Sequence, residues 1–129
     1  MNKKLIMNPG GFTLMELMVI TAIIGLLMAI AIPNYIAYRN NAYCGQTEND
    51  AYMVSRAISD YFSIGSRNDL PNPEDLSVET MNDYEISGDP NVTITIRVTD
   101  RTGRCPDAYQ NASQNWNAVA DYFSLKIAD

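Results

Sequence analysis

Histidine is absent from the 129 residues, tryptophan occurs once and cysteine twice. Without histidine the chain lacks the commonest general base at neutral pH and the commonest metal ligand. Two cysteines make no metal-spaced cluster, and no glycine-rich phosphate loop or nucleophile elbow is present. Positive charge is scarce as well. Nine Lys and Arg stand against 15 Asp and Glu, a formal charge of −6. An acidic surface argues against non-specific nucleic-acid binding. Nothing in this inventory looks catalytic, and no cofactor or metal is expected.

Charge of either sign is missing from one long stretch. Leu17 to Ile32 reads LMVITAIIGLLMAIAI, broken only by Thr21 and Gly25. From Phe12 to Ile32 a helix would span roughly 30 Å, the thickness of a bilayer's hydrocarbon core. Glu16 sits near its start. An unpaired carboxylate there costs on the order of 2.5–3.5 kcal/mol on insertion scales, so Glu16 needs a partner or a purpose. Two plainer readings compete. Ala29-Ile30-Ala31 has the small-x-small form of a signal-peptidase site, which would make the run a secretory signal cleaved before Ile32. Such a signal leaves Glu16 and Gly10-Gly11-Phe12-Thr13-Leu14 unexplained. A single-pass anchor with an incidental glutamate is the other.

Gly10-Gly11-Phe12-Thr13-Leu14-Met15-Glu16 and the apolar run after it resemble the N-terminus of type IV pilins. The match continues through Ala29-Ile30-Ala31-Ile32-Pro33 and Tyr35 to Arg39, about a quarter of the chain. The resemblance implies a leader, residues 1–11, removed by a prepilin peptidase between Gly11 and Phe12, with Phe12 then N-methylated. Lys3 and Lys4 would hold the leader in the cytoplasm. The new amine at Phe12 would lie four residues before Glu16, on one helix face. In the family this glutamate is thought to meet the terminal amine of a neighbouring subunit and set filament register. Loss of the two leader lysines takes the formal charge from −6 to −8.

Beyond the membrane run the helix is expected to continue, with Gly25 and Pro33 as weak points. Gly costs about 1 kcal/mol and Pro about 3 relative to Ala inside a helix. Pro33 cannot donate to the carbonyl of Ala29, so a kink or loosened turn is expected there. In assembled filaments of the family the helix often melts between a glycine and a proline so placed. Cys44, Thr47, Ala51, Val54, Ile58, Tyr61 and Phe62 then follow one face of a 3.6-residue period. Gln46, Asn49, Asp50, Arg56 and Asp60 occupy the other side. Gly65 and the segment up to Pro71 end the pattern, which gives one helix over roughly 12–64.

A sheet is readable further on. Asn72-Pro73-Glu74-Asp75 has the form of a helix start. Tyr84–Ser87 is a short strand before a turn at Gly88–Asn91. Val92, Ile94, Ile96 and Val98 alternate with Thr93, Thr95, Arg97 and Thr99, and Phe123, Leu125 and Ile127 alternate with polar neighbours. The expected fold is α+β: a long N-terminal helix, apolar then amphipathic, packed on three to four antiparallel strands. The domain layout is a leader at 1–11, a transmembrane or filament-core half-helix at 12–33, and the amphipathic half-helix plus head at 34–129.

Cys44 lies on the core-facing stripe and Cys105 follows the central strand, so a bridge would tie helix to head; two buried thiols are the alternative. A chain exported past the cytoplasm meets oxidising conditions, where such a pair forms. The family more often brackets a C-terminal loop with its disulfide, a departure that leaves any adhesive loop undefined. Tyr35, Tyr38, Tyr43, Tyr52, Tyr61 and Phe62 read as interface aromatics rather than an electron path. Asn91-Val92-Thr93 and Asn111-Ala112-Ser113 fit the glycosylation sequon, a triplet common by chance. Asp83, Glu85, Asp89, Asp100 and Asp107 read as a solvated face.

The resemblance thus implies a non-enzymatic structural subunit of a type IV pilus, held in the bacterial inner membrane before assembly into an extracellular filament. Its implied partners are identical subunits, the inner membrane, a prepilin peptidase and the pilus assembly machinery. The alternative is a pseudopilin of a type II secretion system, which shares the leader, Phe12 and Glu16. Major pseudopilins usually carry a C-terminal calcium region, and none is legible here.

Overall fold

The computed structural model describes residues 10–128; residues 1–9, with Lys3, Lys4 and most of the expected leader, and residue 129 lie outside the described residues. The elements run in the order helix α1 (Leu14–Ser63), a 3-10 turn (Pro73–Asp75), strands β1 (Asp83–Asp89) and β2 (Thr93–Thr99), short helix α2 (Asp107–Asn111), and strands β3 (Trp116–Asn117) and β4 (Tyr122–Ala128). The fold is α+β, with a four-stranded antiparallel sheet in the order β1-β2-β4-β3. Contacts divide the chain into two compact units, with the boundary between Ile36 and Ala37.

In the first unit α1 begins at Leu14, two residues later than the expected Phe12, and stays helical through Gly25 and Pro33. The turn expected to loosen at Pro33 thus remains within the helix. Helical hydrogen bonding satisfies the backbone, whatever medium surrounds it.

In the second unit the helix is amphipathic as its spacing demands. Cys44, Thr47, Ala51, Val54 and Ile58 are buried, whereas Asn49, Arg56 and Asp60 are exposed. The sheet answers with Ile94, Ile96, Val98 and Phe123, completed by Leu76, Cys105 and Trp116. Ring contacts stitch the layer together: Tyr52 to Phe123 at 6.5 Å, Trp116 to Phe123 at 5.7 Å, and Tyr109 edge-on to Trp116 at 6.4 Å. Each large apolar side chain buried here stabilises the fold by roughly 1.5–3 kcal/mol.

The β1–β2 hairpin closes later than its sequence suggests. β1 runs on to Asp89, which pairs with Thr93, so Pro90–Val92 form the connection. Asp89 Oδ1 accepts the Asn91 N–H at 2.8 Å, and the Val92 N–H donates to the Asp89 carbonyl at 3.0 Å. Gly88 adopts a φ of 116°, and a Cβ there would collide with the Thr93 carbonyl oxygen. Only glycine suits that position. Val92, expected on the buried face, is therefore in the turn and exposed.

Two carboxylates sit where alternation alone would not put them. Asp50, expected on the polar side of α1, is fully buried. Its Oδ2 accepts the backbone and side-chain N–H groups of Asn82 at 3.1 and 2.9 Å, and its Oδ1 accepts Gln46 Nε2 at 3.1 Å. Asn82 in turn donates to Thr47 Oγ1 at 3.3 Å and accepts the Arg101 N–H at 3.0 Å. Asp100, expected on a solvated face, is 5% exposed. It organises the loop after β2 by accepting the N–H groups of Thr102, Arg104 and Cys105 at 2.9, 3.1 and 2.9 Å. Buried charges persist where hydrogen bonds replace water, which is why pattern alone misplaces both. Half-buried Glu48 completes the set, its Oε1 accepting from Trp116 Nε1 at 2.8 Å and Tyr109 OH at 3.2 Å.

The disulfide joins Cys44 to Cys105 with Cα atoms 4.9 Å apart. It closes a loop of 61 residues, worth about 4 kcal/mol in the chain-entropy model. The Cys44→Ser, Cys105→Ser double variant should lose about that much in denaturant unfolding followed by Trp116 fluorescence. An unfolding midpoint indifferent to both the substitution and added reductant would contradict it. Burial raises the Asp100 pKa, but hydrogen bonds from the Thr102 hydroxyl and from the Cys105, Thr102 and Arg104 amides outweigh it and leave the group below its ordinary value. Its contribution is present above the unfolded pKa of about 4 and is lost as pH falls through the lower folded value. Asp100→Asn should therefore flatten the loss of stability between about pH 5 and pH 2 measured by thermal unfolding.

Candidate functional site

The first unit carries most of the residues that the sequence singles out, and its local structure starts from Thr13. Thr13 precedes the helix and caps it: its Oγ1 accepts the Glu16 N–H at 3.2 Å. Glu16 answers with Oε2, which accepts the Thr13 N–H at 2.9 Å and the Thr13 hydroxyl at 3.2 Å. This reciprocal pair is a capping box, which satisfies two backbone donors that a helix start leaves open. The negative charge also lies in the first turn, where the helix dipole favours it.

Two sequence-based expectations change as a result. Glu16 is not a carboxylate without a partner, because Thr13 supplies one from the same chain. Phe12 lies outside α1, so the helical i,i+4 relation expected to place its amine beside Glu16 does not hold in this structure. Glu16 Oε1 accepts no hydrogen bond among the described residues, and the turn that carries it is exposed. The signal for the cap is legible as Thr-x-x-Glu ahead of an apolar run, a spacing that the charge of Glu16 overshadows.

Downstream the helix is apolar all round and uncovered. None of its most apolar 18-residue stretch is buried. Leu17, Ile23, Leu26 and Ile30 are all more than half exposed. Thr21, its polar exception, returns its hydroxyl to the Met18 carbonyl at 2.9 Å and so exposes no unmet donor. A Cβ at Gly25 would meet open space, so nothing among the described residues requires glycine there. Gly11 and Phe12 are both exposed. The structure brings Thr13 and Glu16 together, while Gly25 and Pro33 lie further along the same helix.

Residues 6–32 match the family described as the prokaryotic N-terminal methylation motif. Over 80 residues the chain is 38% identical to the type IV major pilin protein PilA of Myxococcus xanthus, covering 60% of this chain and 36% of that protein. It is 45% identical over 53 residues to the fimbrial protein EcpC of Eikenella corrodens, covering 41% of this chain and 35% of the relative. Over 59 residues it is 39% identical to the type IV major fimbrial protein FimA of Dichelobacter nodosus, with 46% and 37% covered. The matched segments thus span just over a third of the relatives' own lengths. No solved structure matches the chain. These findings bear out the resemblance to type IV pilins.

Removing the cap should loosen the first turn. Thr13→Ala is expected to cost about 1 kcal/mol there, read as faster amide hydrogen exchange at Leu14–Leu17 in detergent micelles. Thr13→Ser should restore protection, and exchange unchanged in the alanine variant would contradict the cap.

Proposed function

We propose that this type IV pilin-like chain is a structural subunit of a surface filament, held in the inner membrane before assembly. The observation that carries the reading is one carboxylate at the head of an otherwise uncharged, uncovered helix segment within a matched N-terminal methylation motif. That segment meets the requirement for a lipid-spanning helix in length and composition. It meets equally the requirement for a filament core, in which neighbouring helices replace lipid. One apolar surface then serves both retention and cohesion.

In this reading residues 1–11 are removed by a prepilin peptidase between Gly11 and Phe12, and Phe12 is methylated. Residues 12–33 span the membrane and later form the filament core; residues 34–129 supply the remaining helix and the head. Glu16 keeps Oε2 on Thr13 and offers Oε1 to the Phe12 amine of an adjacent subunit. A misregistered subunit would leave that charge unmet in an apolar medium, which is costly. Gly25 allows close approach of another helix or local melting, and with Pro33 it marks the stretch where the helix gives way in the filament. The assembly machinery extracts the subunit. Adhesion, motility, DNA uptake and electron transfer are roles that partners and motors would add to the same filament.

Intact mass and N-terminal analysis of protein sheared from cells tests the reading. A chain beginning at methylated Phe12 is expected; a soluble chain beginning at Ile32, or an unprocessed chain confined to the membrane, would overturn it. Glu16→Ala should insert normally and reduce filament yield at least about tenfold, the effect of about 1.4 kcal/mol per subunit contact. Normal filaments in that variant would remove the register role. Loss of exoprotein secretion on deletion, with no filaments affected, would favour the pseudopilin alternative.

A further inference from the structure

The face of the sheet turned away from α1 carries a groove of about 730 Å³, within the size range of small-molecule sites, about 300–1,000 Å³. Its floor is two rows of cross-strand partners. Ser87, Thr95 and Lys126 are aligned across β1, β2 and β4, and Arg97 lies opposite Ser124 in the next row. Its wall is the stretch from Gln114 to Asn117, held against β4 by the Ser124 N–H donating to the Asn115 carbonyl at 2.7 Å.

The charge of this groove departs from the rest of the chain. Acids outnumber bases 15 to 9 over the sequence, yet no Asp or Glu lines it. Arg97 and Lys126 do. Arg97 is held in place by the Tyr122 ring, 4.5 Å below its guanidinium, and by Glu85 at 3.7 Å from outside the lining. Lys126 has no acidic partner among the described residues. Glu85, the β1 member of the Arg97 row, offsets part of the Arg97 charge, so Lys126 supplies most of the positive charge in this concave site, which favours an anionic ligand.

Neutral groups decide what kind of anion. The hydroxyls of Ser87, Thr95 and Ser124 and the side-chain amides of Gln114 and Asn115 make no hydrogen bond within the described residues, although all line the groove. These solvent-accessible groups offer both donors and acceptors along one groove, a set that complements a ligand rich in hydroxyl groups. A nucleobase fits poorly. Tyr122 already bears the Arg97 guanidinium, and Trp116 is 7% exposed, so no open aromatic face offers stacking. A peptide would be expected to add to a strand edge, whereas the groove floor is made of strand faces.

We propose that this groove binds an acidic saccharide, with Lys126 and Arg97 meeting its carboxylate or sulfate groups and the hydroxyl and amide side chains meeting its hydroxyls. Charge-assisted hydrogen bonds supply the strongest contacts, and the neutral groups select for sugar. The inference rests on the sheet alone and stands apart from the assembly reading.

Titration of the disulfide-bonded full chain in detergent micelles with trigalacturonate, maltotriose and triglutamate tests it. Trigalacturonate should bind and shift the backbone amide NMR signals of Thr95, Asn115, Ser124 and Lys126. Its affinity should fall as salt is raised. Lys126→Gln and Arg97→Gln should each weaken it about tenfold, and Arg56→Gln, remote from the groove, should leave it unchanged. Near-UV circular dichroism matching the parent shows that the variants are folded. Detectably weaker binding of both maltotriose and triglutamate supports the assignment. Equal affinity for triglutamate would reduce the groove to a general anion patch and overturn it, as would no binding of trigalacturonate or binding indifferent to both substitutions.

Discussion

An apolar helix surface that no described residue covers is the constraint on which the other features depend. From Leu14 to Ile32 the large side chains are exposed on every face, and burying each would be worth roughly 1.5–3 kcal/mol. Summed along the segment, exposure to water would cost more than a small domain's whole stability of about 5–15 kcal/mol. The segment therefore calls for apolar surroundings, which lipid or neighbouring helices would supply. The backbone tolerates either medium because the helix satisfies its own hydrogen bonds. Its open start is the exception, and the Thr13–Glu16 box closes it with a charged group. Glu16 thus serves local capping through Oε2, and Oε1 accepts no hydrogen bond among the described residues.

The second unit solves a different problem. Its core is small, and small cores are marginal without staples. The disulfide supplies one, and three carboxylates supply others: Asp50 fixes the chain before β1, Asp100 shapes the loop that delivers Cys105, and Glu48 holds Trp116 and Tyr109. These groups lie on or beside the helix stripe that packs on the sheet. Covalent, polar and apolar contacts consequently converge on one helix–sheet seam. The opposite sheet face, free of that duty, is where polar side chains can be spent on recognition.

Much of this architecture is legible in the amino-acid sequence. The long uncharged run, Glu16 at its head, the Cys44–Ile58 stripe and the Val/Ile alternation of β2 follow directly from period and composition. Counting the apolar run from Phe12 puts the helix start too early, because Thr13 has the side chain of a cap and Phe12 does not. The hairpin is likewise expected too early, because Gly88 and Pro90 both signal a turn. Only the pairing of Asp89 with Thr93 tells which of them ends the strand. Strand β3 and helix α2 escape a reading by pattern, since two and five residues carry no readable period.

The sequence by itself determined where apolar surface would lie and with what repeat, because side-chain period is a property of local backbone geometry. It likewise determined that a helix and a β-rich region would have to share one core, and it brought Cys44 and Cys105 to plausible sides of that core. Tertiary structure alone decided the fate of the polar groups. Asp50 and Asp100 are buried because donors 32 positions away in one case and up to five in the other arrive to replace water. Whether a carboxylate is solvated or enclosed depends on which loop closes over it. That is set by the packing of the whole head and leaves no trace in the local pattern.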